Sequence, residues 1–315
     1  MNILIIGGAG YIGGHLVDLL EDSGMTVTVY DNLLYERQYF KNTNFVYGDI
    51  RDTSKINLLL QNNDFEYVIW LAALVGDGAC SIDEKLTYEI NVNSLDRFLK
   101  IFKGNVIFMS TCSVYGINEN IINEDGEKNP QSIYAKSKIK AEQLFNERDN
   151  FTILRLGTLF GISDYFSRVR LDLVVNILTL KASKKEKISV FGGNQYRPLL
   201  HVKDVGNAIY YIIKNKVFGI FNLAYKNFTI LEIAKEIIKN FDNEVEVEIE
   251  KQQFEDSRNY QVSSKKIYDT GFSCKFDLDF GINEMKNIFL DNRIKNTSDP
   301  IFSNFSYLSK NNDLR

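Results

Sequence analysis

The stretch Gly7-Gly8-Ala9-Gly10-Tyr11-Ile12-Gly13 follows the apolar run Asn2–Ile6 and precedes Ile12, Leu16, Leu19 and Leu20 at helical spacing. The order is strand, glycine turn, helix. Gly7 permits a tight turn, Gly10 lets the backbone approach a pyrophosphate, and Gly13 lets the helix pack close to the sheet. The start of the helix offers free N–H groups and a positive dipole end to phosphates. A glycine pattern alone also fits a plain strand-to-helix turn. A second feature tips the reading. The β-rich run 26–30 ends at Asp31, where a carboxylate accepts bonds from ribose hydroxyls and repels a 2′-phosphate. Together they predict a bound dinucleotide, NAD rather than NADP.

Working outward, further strands are expected at Asn44–Tyr47, 67–71, 106–109 and 152–156, with helices near 54–61, 83–102 and 132–148. Strands alternating with helices imply parallel strands joined by right-handed crossovers. Strands apolar on both faces imply a sheet covered on both sides. Beyond Gly157 the pattern reads as helix 170–182, strand Ile188–Phe191, helix 203–214, a strand at 220–223 rejoining the main sheet, helix 230–240 and the alternating strand 245–249. The predicted fold is α/β: a Rossmann-type doubly wound parallel sheet with a smaller α+β substrate lobe. Residues 1–156 plus about 203–224 form the NAD-binding domain, and 157–202 plus about 225–291 the substrate lobe. Residues 292–315 are a polar, aromatic-dotted tail that either wraps a surface or stays mobile.

The totals limit the partners. Of 315 residues, 44% are hydrophobic and 25% charged, the balance of a folded globular chain. A net charge of −4 gives no general attraction to nucleic acid or an anionic membrane, so an anionic ligand must be held by local donors. The three cysteines are widely spaced and the two histidines cannot build a histidine-rich site, so no metal centre is expected. The start MNILIIGG is already strand and turn, and no apolar run approaches the ~18 residues of a membrane span. A reducing cytoplasm is expected.

Catalysis is suggested by Tyr134 and Lys138, one helical turn apart on one face. An ammonium nearby, together with a positive nicotinamide ring, would lower the phenol's pKa. A tyrosinate could then take a hydroxyl proton as hydride leaves the same carbon. Alone, such a pair reads first as an exposed helix face, and it gains meaning from the cofactor motif that precedes it. Thr111, at the end of strand 106–109, could bond the reacting hydroxyl, or merely sit in a Ser/Thr-rich turn. Asp49-Ile50 is an adenine contact or a simple turn.

At this point the chain resembles the extended short-chain dehydrogenases/reductases, specifically the NAD-dependent epimerase/dehydratase group acting on nucleotide sugars. Gly7 to Gly13, Asp31-Asn32-Leu33 and Gly48-Asp49-Ile50 resemble its cofactor side. Leu71-Ala72-Ala73, Ser110-Thr111 with Val114-Tyr115-Gly116, and Tyr134 with Lys138 resemble its catalytic side. Leu154-Arg155 with Phe160-Gly161, and Arg197-Pro198-Leu199-Leu200-His201-Val202 before Asp204, resemble later motifs. The resemblance implies Thr111, Tyr134 and Lys138 as the catalytic set. It implies a cofactor set of Gly7, Gly10, Tyr11, Ile12, Gly13, Asp31, Asn32, Asp49, Ile50, Leu71, Ala72, Ala73 and Asn91 with Tyr134 and Lys138. It also implies a homodimer through helices near 83–102 and 132–149.

Departures from the family narrow the reaction. Dehydrating members carry Asp-Glu directly after the catalytic Thr, and decarboxylating members keep a Glu at the second place; here Cys112 and Ser113 stand there. Cys112 lies one place off the cysteine of members that epimerise beside a keto group, and reads better as a packed core residue. Thr158 replaces a frequent Asn that holds the sugar diphosphate. On the substrate side Thr111 is expected at the reacting hydroxyl and Thr158 near the diphosphate, and the candidates to grip that diphosphate are Arg168, Arg170, Arg197 and Arg258, because arginine binds phosphate oxygens in pairs. The expected reaction is oxidation at C4 of a nucleotide-diphosphate sugar, returned as a 4-epimer. Release of the 4-keto sugar by a dehydrogenase (a heptose substrate included), and a non-catalytic NAD-sensing regulator, stay open.

Overall fold

The computed structural model describes residues 1–242, 245–250 and 259–311. Its centre is a seven-stranded parallel sheet of β1 (Asn2–Ile6), β2 (Thr26–Asp31), β3 (Asn44–Tyr47), β4 (Tyr67–Trp70), β5 (Asn105–Thr111), β6 (Phe151–Leu156) and β7 (Gly219–Leu223). The spatial order is β7-β6-β5-β4-β1-β2-β3. The chain reverses its direction of travel between β1 and β4, so a crevice opens beyond the C-terminal ends of these two strands.

Strand β1 shows why the sheet is doubly covered. Ile3 and Ile5 point to one face and Leu4 and Ile6 to the other, and all four are fully buried. The first face packs on helix Gly13–Asp22 and helix Val202–Asn215 through Leu16, Val17, Val205 and Ile209. The second meets Trp70, Phe98, Phe108 and Phe145. Each such aliphatic side chain contributes about 1.5–3 kcal/mol when fully buried. The expected return of the chain into the main sheet is seen: β7 pairs with β6 from Gly219↔Thr152 to Leu223↔Leu156.

Residues outside this sheet form a second, smaller core. Strands Thr158–Phe160, Tyr196–His201 and Lys226–Thr229 make one small sheet, and Ile188–Phe191 pairs with Val247–Glu250. Helices Val174–Ser183, Ile230–Lys239 and Leu278–Leu290 cover them through Val175, Ile233, Ile237 and Ile282. No helix among the described residues is long and apolar enough to cross a membrane.

Several local expectations need correction. The helix expected over 83–102 is broken into Glu84–Tyr88, a π-helical turn Glu89–Asn93 and Ser94–Ile101. The helix expected from 170 begins only at Val174, because Arg170 is clamped by Asp172 and the Leu171 amide donates to Phe302 O, which holds the segment out of helical shape. The strand Tyr196–His201 and the helix Leu278–Leu290 go beyond the elements expected from the sequence. Pro198 disguises the former, which is the central strand of its small sheet; the proline sits one residue before the pairing with Thr158–Phe160 begins, at Leu199. The tail wraps a surface, with a short helix Asn304–Lys310 packed on helix Asp77–Ile82.

Candidate active site

The crevice is a cleft of ≈ 770 Å³, lined by the sheet's C-terminal edge on one side and the smaller core on the other. Of the cofactor candidates, Gly7, Gly10, Tyr11, Ile12, Asp31, Asn32, Asp49, Ile50, Leu71, Ala72, Ala73, Tyr134 and Lys138 all line it. The glycines differ in what they require. Gly7 has φ +85°, and a Cβ there would lie 2.4 Å from Ala72 N. A Cβ on Gly13 would lie 2.0 Å from Gly8 O, so Gly13 lets the helix start pack directly on the turn after β1 and does not line the cleft. A Cβ on Gly10 would meet only Gly7 O, at 3.5 Å. Within the protein Gly10 is sterically free, and a side chain there would fill the cradle above the helix start. That fits a phosphate seated on backbone amides.

Asp31 is placed by two amides: Ala9 N donates to Oδ2 at 3.0 Å and Leu33 N to Oδ1 at 2.7 Å. Burial nevertheless pushes its carboxyl above the ordinary range. Asn32 donates to Asp49 at 3.2 Å, tying the ends of β2 and β3 together. Burial raises Asp49, but the hydrogen bonds and charge of Arg51 outweigh it and hold the carboxyl below its usual value.

Tyr134 and Lys138 sit in helix Ile133–Gln143, whose N-cap Ser132 accepts Ala135 N. Lys138 Nζ donates to Met109 O at 2.8 Å, docking the helix on β5. Burial lowers this lysine to about 8. Burial also pushes the Tyr134 phenol upward, reinforced by Cys80 and Asp77; Arg170 and the Thr111 hydroxyl pull it down. The expectation that Lys138 is the lowering group is therefore not what this structure shows: its ammonium is turned to Met109 O. Thr111 ends β5, accepts Ser113 N at 3.1 Å and lines the cleft beside Tyr134. Ser113 Oγ and Tyr260 OH lie 3.2 Å apart on the same wall. Cys112 faces away: its thiol donates to Arg155 O at 3.1 Å, is 1% exposed, and burial pushes it up.

Asn91 lies behind the cleft and does not line it. Its amide accepts Leu74 N at 2.8 Å, donates to Leu74 O at 3.0 Å and donates to Ser137 Oγ at 3.0 Å. It staples the loop after β4 to the Tyr134 helix.

Among the substrate candidates, Thr158, Arg168, Arg170 and Arg197 line the cleft with Thr111, and Arg258 lies outside the described residues. Arg170 is gripped by Asp172 through Nε and Nη2, both at 2.9 Å. Arg168 lies 4.3 Å over the Tyr35 ring and is bonded by the C-terminal segment. Arg197 opens onto the far side with Ser189 and Gln195. Sequence reasoning missed Tyr35, Glu36, Tyr260, Asn304 and Phe305 as cleft residues. Tyr35 and Glu36 follow Asp31-Asn32 closely enough to carry a positional signal. Asn304 and Phe305 sit far along the chain in a polar segment without periodicity and carry no such signal.

A sequence profile of the NAD dependent epimerase/dehydratase family matches residues 3–224, and the chain belongs to that family. It is 30% identical over 272 residues to a UDP-glucose 4-epimerase of Lactobacillus helveticus, covering 75% of this chain and 82% of the relative. It is 28% identical over 298 residues to a UDP-glucose 4-epimerase of Halalkalibacterium halodurans, covering 84% and 88%. A solved UDP-glucose 4-epimerase of Thermotoga maritima, with UDP-glucose, superposes with a TM-score of 0.80 at 25% identity, covering 93% of this chain and 100% of that one.

Proposed function

We propose that this protein is an NAD-dependent nucleotide-sugar 4-epimerase. The observation that carries the reading is the convergence of Thr111, Tyr134 and Lys138 on a cleft whose other end is the Gly7–Asp31 cradle, with Cys112 and Ser113 where a dehydrating or decarboxylating site needs a carboxylate. The cofactor supplies the hydride acceptor when bound. The chain's own groups do the rest. Tyr134 takes the proton of the sugar 4-hydroxyl, Thr111 orients that oxygen, and Lys138 fixes the helix on β5. The buried wall excludes water while hydride is held. A sugar that turns before hydride returns leaves as its epimer, and no further acid or base is required. Arg197 and Thr158, on the side of the smaller core, are assigned to the sugar diphosphate, and Arg258 is carried as a third candidate.

The names of the relatives make UDP-glucose the first substrate to test. Mass spectrometry and sugar analysis of products from a nucleotide-sugar panel decide the matter. Unchanged mass with inverted C4 supports the proposal. Loss of two hydrogens means a 4-dehydrogenase, and no turnover on any member favours an NAD-sensing regulator. The reading includes a homodimer through the helices of residues 84–101 and 133–143, tested by light scattering, and work in the cytoplasm, tested by fractionation.

A further inference from the structure

Arg168 is a buried cation without a counter-ion among the described residues. It is 9% exposed. Its Nη1 donates to Ile301 O at 2.6 Å and its Nη2 to Asn304 Oδ1 at 2.6 Å, both neutral acceptors, and its Nε is buried with no partner among the described residues. The nearby carboxylates, Asp172 and Glu36, act on it only at a distance, and neither forms an ion pair with its guanidinium. Asp172 holds Arg170 and the Asn304 amide, while Glu36 accepts the backbone N–H of Arg168. Burial lowers the guanidinium's pKa to about 10, and the neighbouring charge of Arg170 adds to this. A buried charge is normally paired, because desolvating it alone is costly. Arg168 also lines the cleft, as does Tyr35, whose buried hydroxyl likewise lacks a partner among the described residues. Two orphaned donors on one wall point to a missing anionic acceptor.

The surroundings say which anion. Arg168 stacks on Tyr35, four residues after Asp31, and its amide is held by Glu36, the next residue. Asn304, which holds its guanidinium, also donates to Val75 O at 2.9 Å in the loop after β4. These are loops from β2 and β4, the two strands that flank β1 and its glycine turn. The sugar-nucleotide candidates Thr158 and Arg197 belong to the smaller core.

We propose that Arg168 supplies the positive charge for the pyrophosphate of the dinucleotide, not of the sugar nucleotide, and that Asn304 of the C-terminal segment is the residue that positions it. The inference rests on NAD being the cofactor. The tail is then part of the cofactor site: Asn304 ties the loop after β4, Arg168 and, through its amide, Asp172 into one knot, and Phe305 closes the wall against Gly78.

Direct binding separates the alternatives. NAD, ADP-ribose, adenosine and UDP-glucose are titrated calorimetrically against wild type, Arg168→Met and Asn304→Ala. Charge-assisted hydrogen bonds predict a loss of roughly tenfold or more for NAD and ADP-ribose in Arg168→Met, with adenosine and UDP-glucose within about twofold. Asn304→Ala is expected to lose severalfold on the same two ligands. Retained UDP-glucose affinity shows that each variant is folded. Unchanged NAD affinity in both variants overturns the proposal, as does an equal loss for adenosine. Loss for UDP-glucose alone reassigns Arg168 to the substrate and leaves the proposed reaction standing. Wild type that binds neither NAD nor ADP-ribose overturns the cofactor reading itself.

Discussion

The Tyr11 hydroxyl donates to the carbonyl oxygen of Gly161 at 2.5 Å, joining the glycine turn to a residue 150 positions away. The bond is buried and connects the two walls of the cleft. Gly161 O keeps a second, longer contact of 3.4 Å from Asn176 Nδ2. Tyr11→Phe should therefore lower the unfolding free energy by about 1 kcal/mol, the net worth of one buried hydrogen bond. Urea titration checks this, and no change in the midpoint would show that the two walls do not depend on the contact.

Replacing Tyr134 with Phe removes the one hydroxyl assigned to proton transfer. A general base contributes about 10²–10⁴-fold, so kcat should fall by that factor while NAD binds within about threefold of wild type. Activity near that of wild type would remove Tyr134 from the mechanism. Cys112→Ala is the companion measurement. The thiol is bonded to Arg155 O behind the cleft, so stereochemical outcome and rate should be preserved.

Glu36 gives a pH signature. Burial pushes its carboxyl up from the ordinary 4.5 to about 7. Between those values the folded state holds more protons than the unfolded chain, so stability falls as pH rises through the window. The contribution reaches at most about 3 kcal/mol by the linkage of 1.36 kcal/mol per unit. Melting of wild type and Glu36→Gln at pH 5 and pH 8 should show the variant gaining on wild type at the higher pH. A constant difference would mean that Glu36 titrates normally.

Arg155 and Glu142 form a buried pair at 2.7 Å, with Arg155 also bonded to Tyr115 OH and Glu124 O, and Glu142 to Ser110. Breaking such a pair from one side typically costs about 3–5 kcal/mol, because the other charge stays buried and alone. Glu142→Gln should lower stability by an amount of that order in chemical denaturation. A small effect would mean that water or a neighbour replaces the carboxylate.

The sheet and the cofactor cradle are legible in the sequence because they are written in local chemistry. Strand β1 is an apolar run stopped by glycines, and Asp31 ends a strand at the distance a ribose requires. Tyr134 and Lys138 are legible through helical spacing. The features that escape depend on contacts between distant segments. Nothing local to Asn304 announces that it will meet Val75 and Arg168, 229 and 136 residues away. Arg168 reads as a phosphate-ligand candidate from its residue type, but the proposal for which phosphate rests on the loops that fold beside it. Asn91, grouped with the cofactor residues by resemblance, stands one layer back. The break in the helix around it has no compositional mark, since 84–101 contains neither glycine nor proline.

That break has a consequence of its own. A π turn amounts to one residue inserted into an α-helix. Here the insertion lies at Glu89–Asn93, and Asn91 within it reaches both Leu74 and Ser137, whose hydroxyl donates to Tyr134 O at 2.7 Å. Deleting a single residue from this turn would restore a regular helix and rotate its N-terminal half by about 100° relative to its C-terminal half. Most substitutions on this helix would leave its phase intact. Loss of one whole codon would not, and the reacting end of the cleft is thus guarded by chain length at one place as much as by the identity of any side chain.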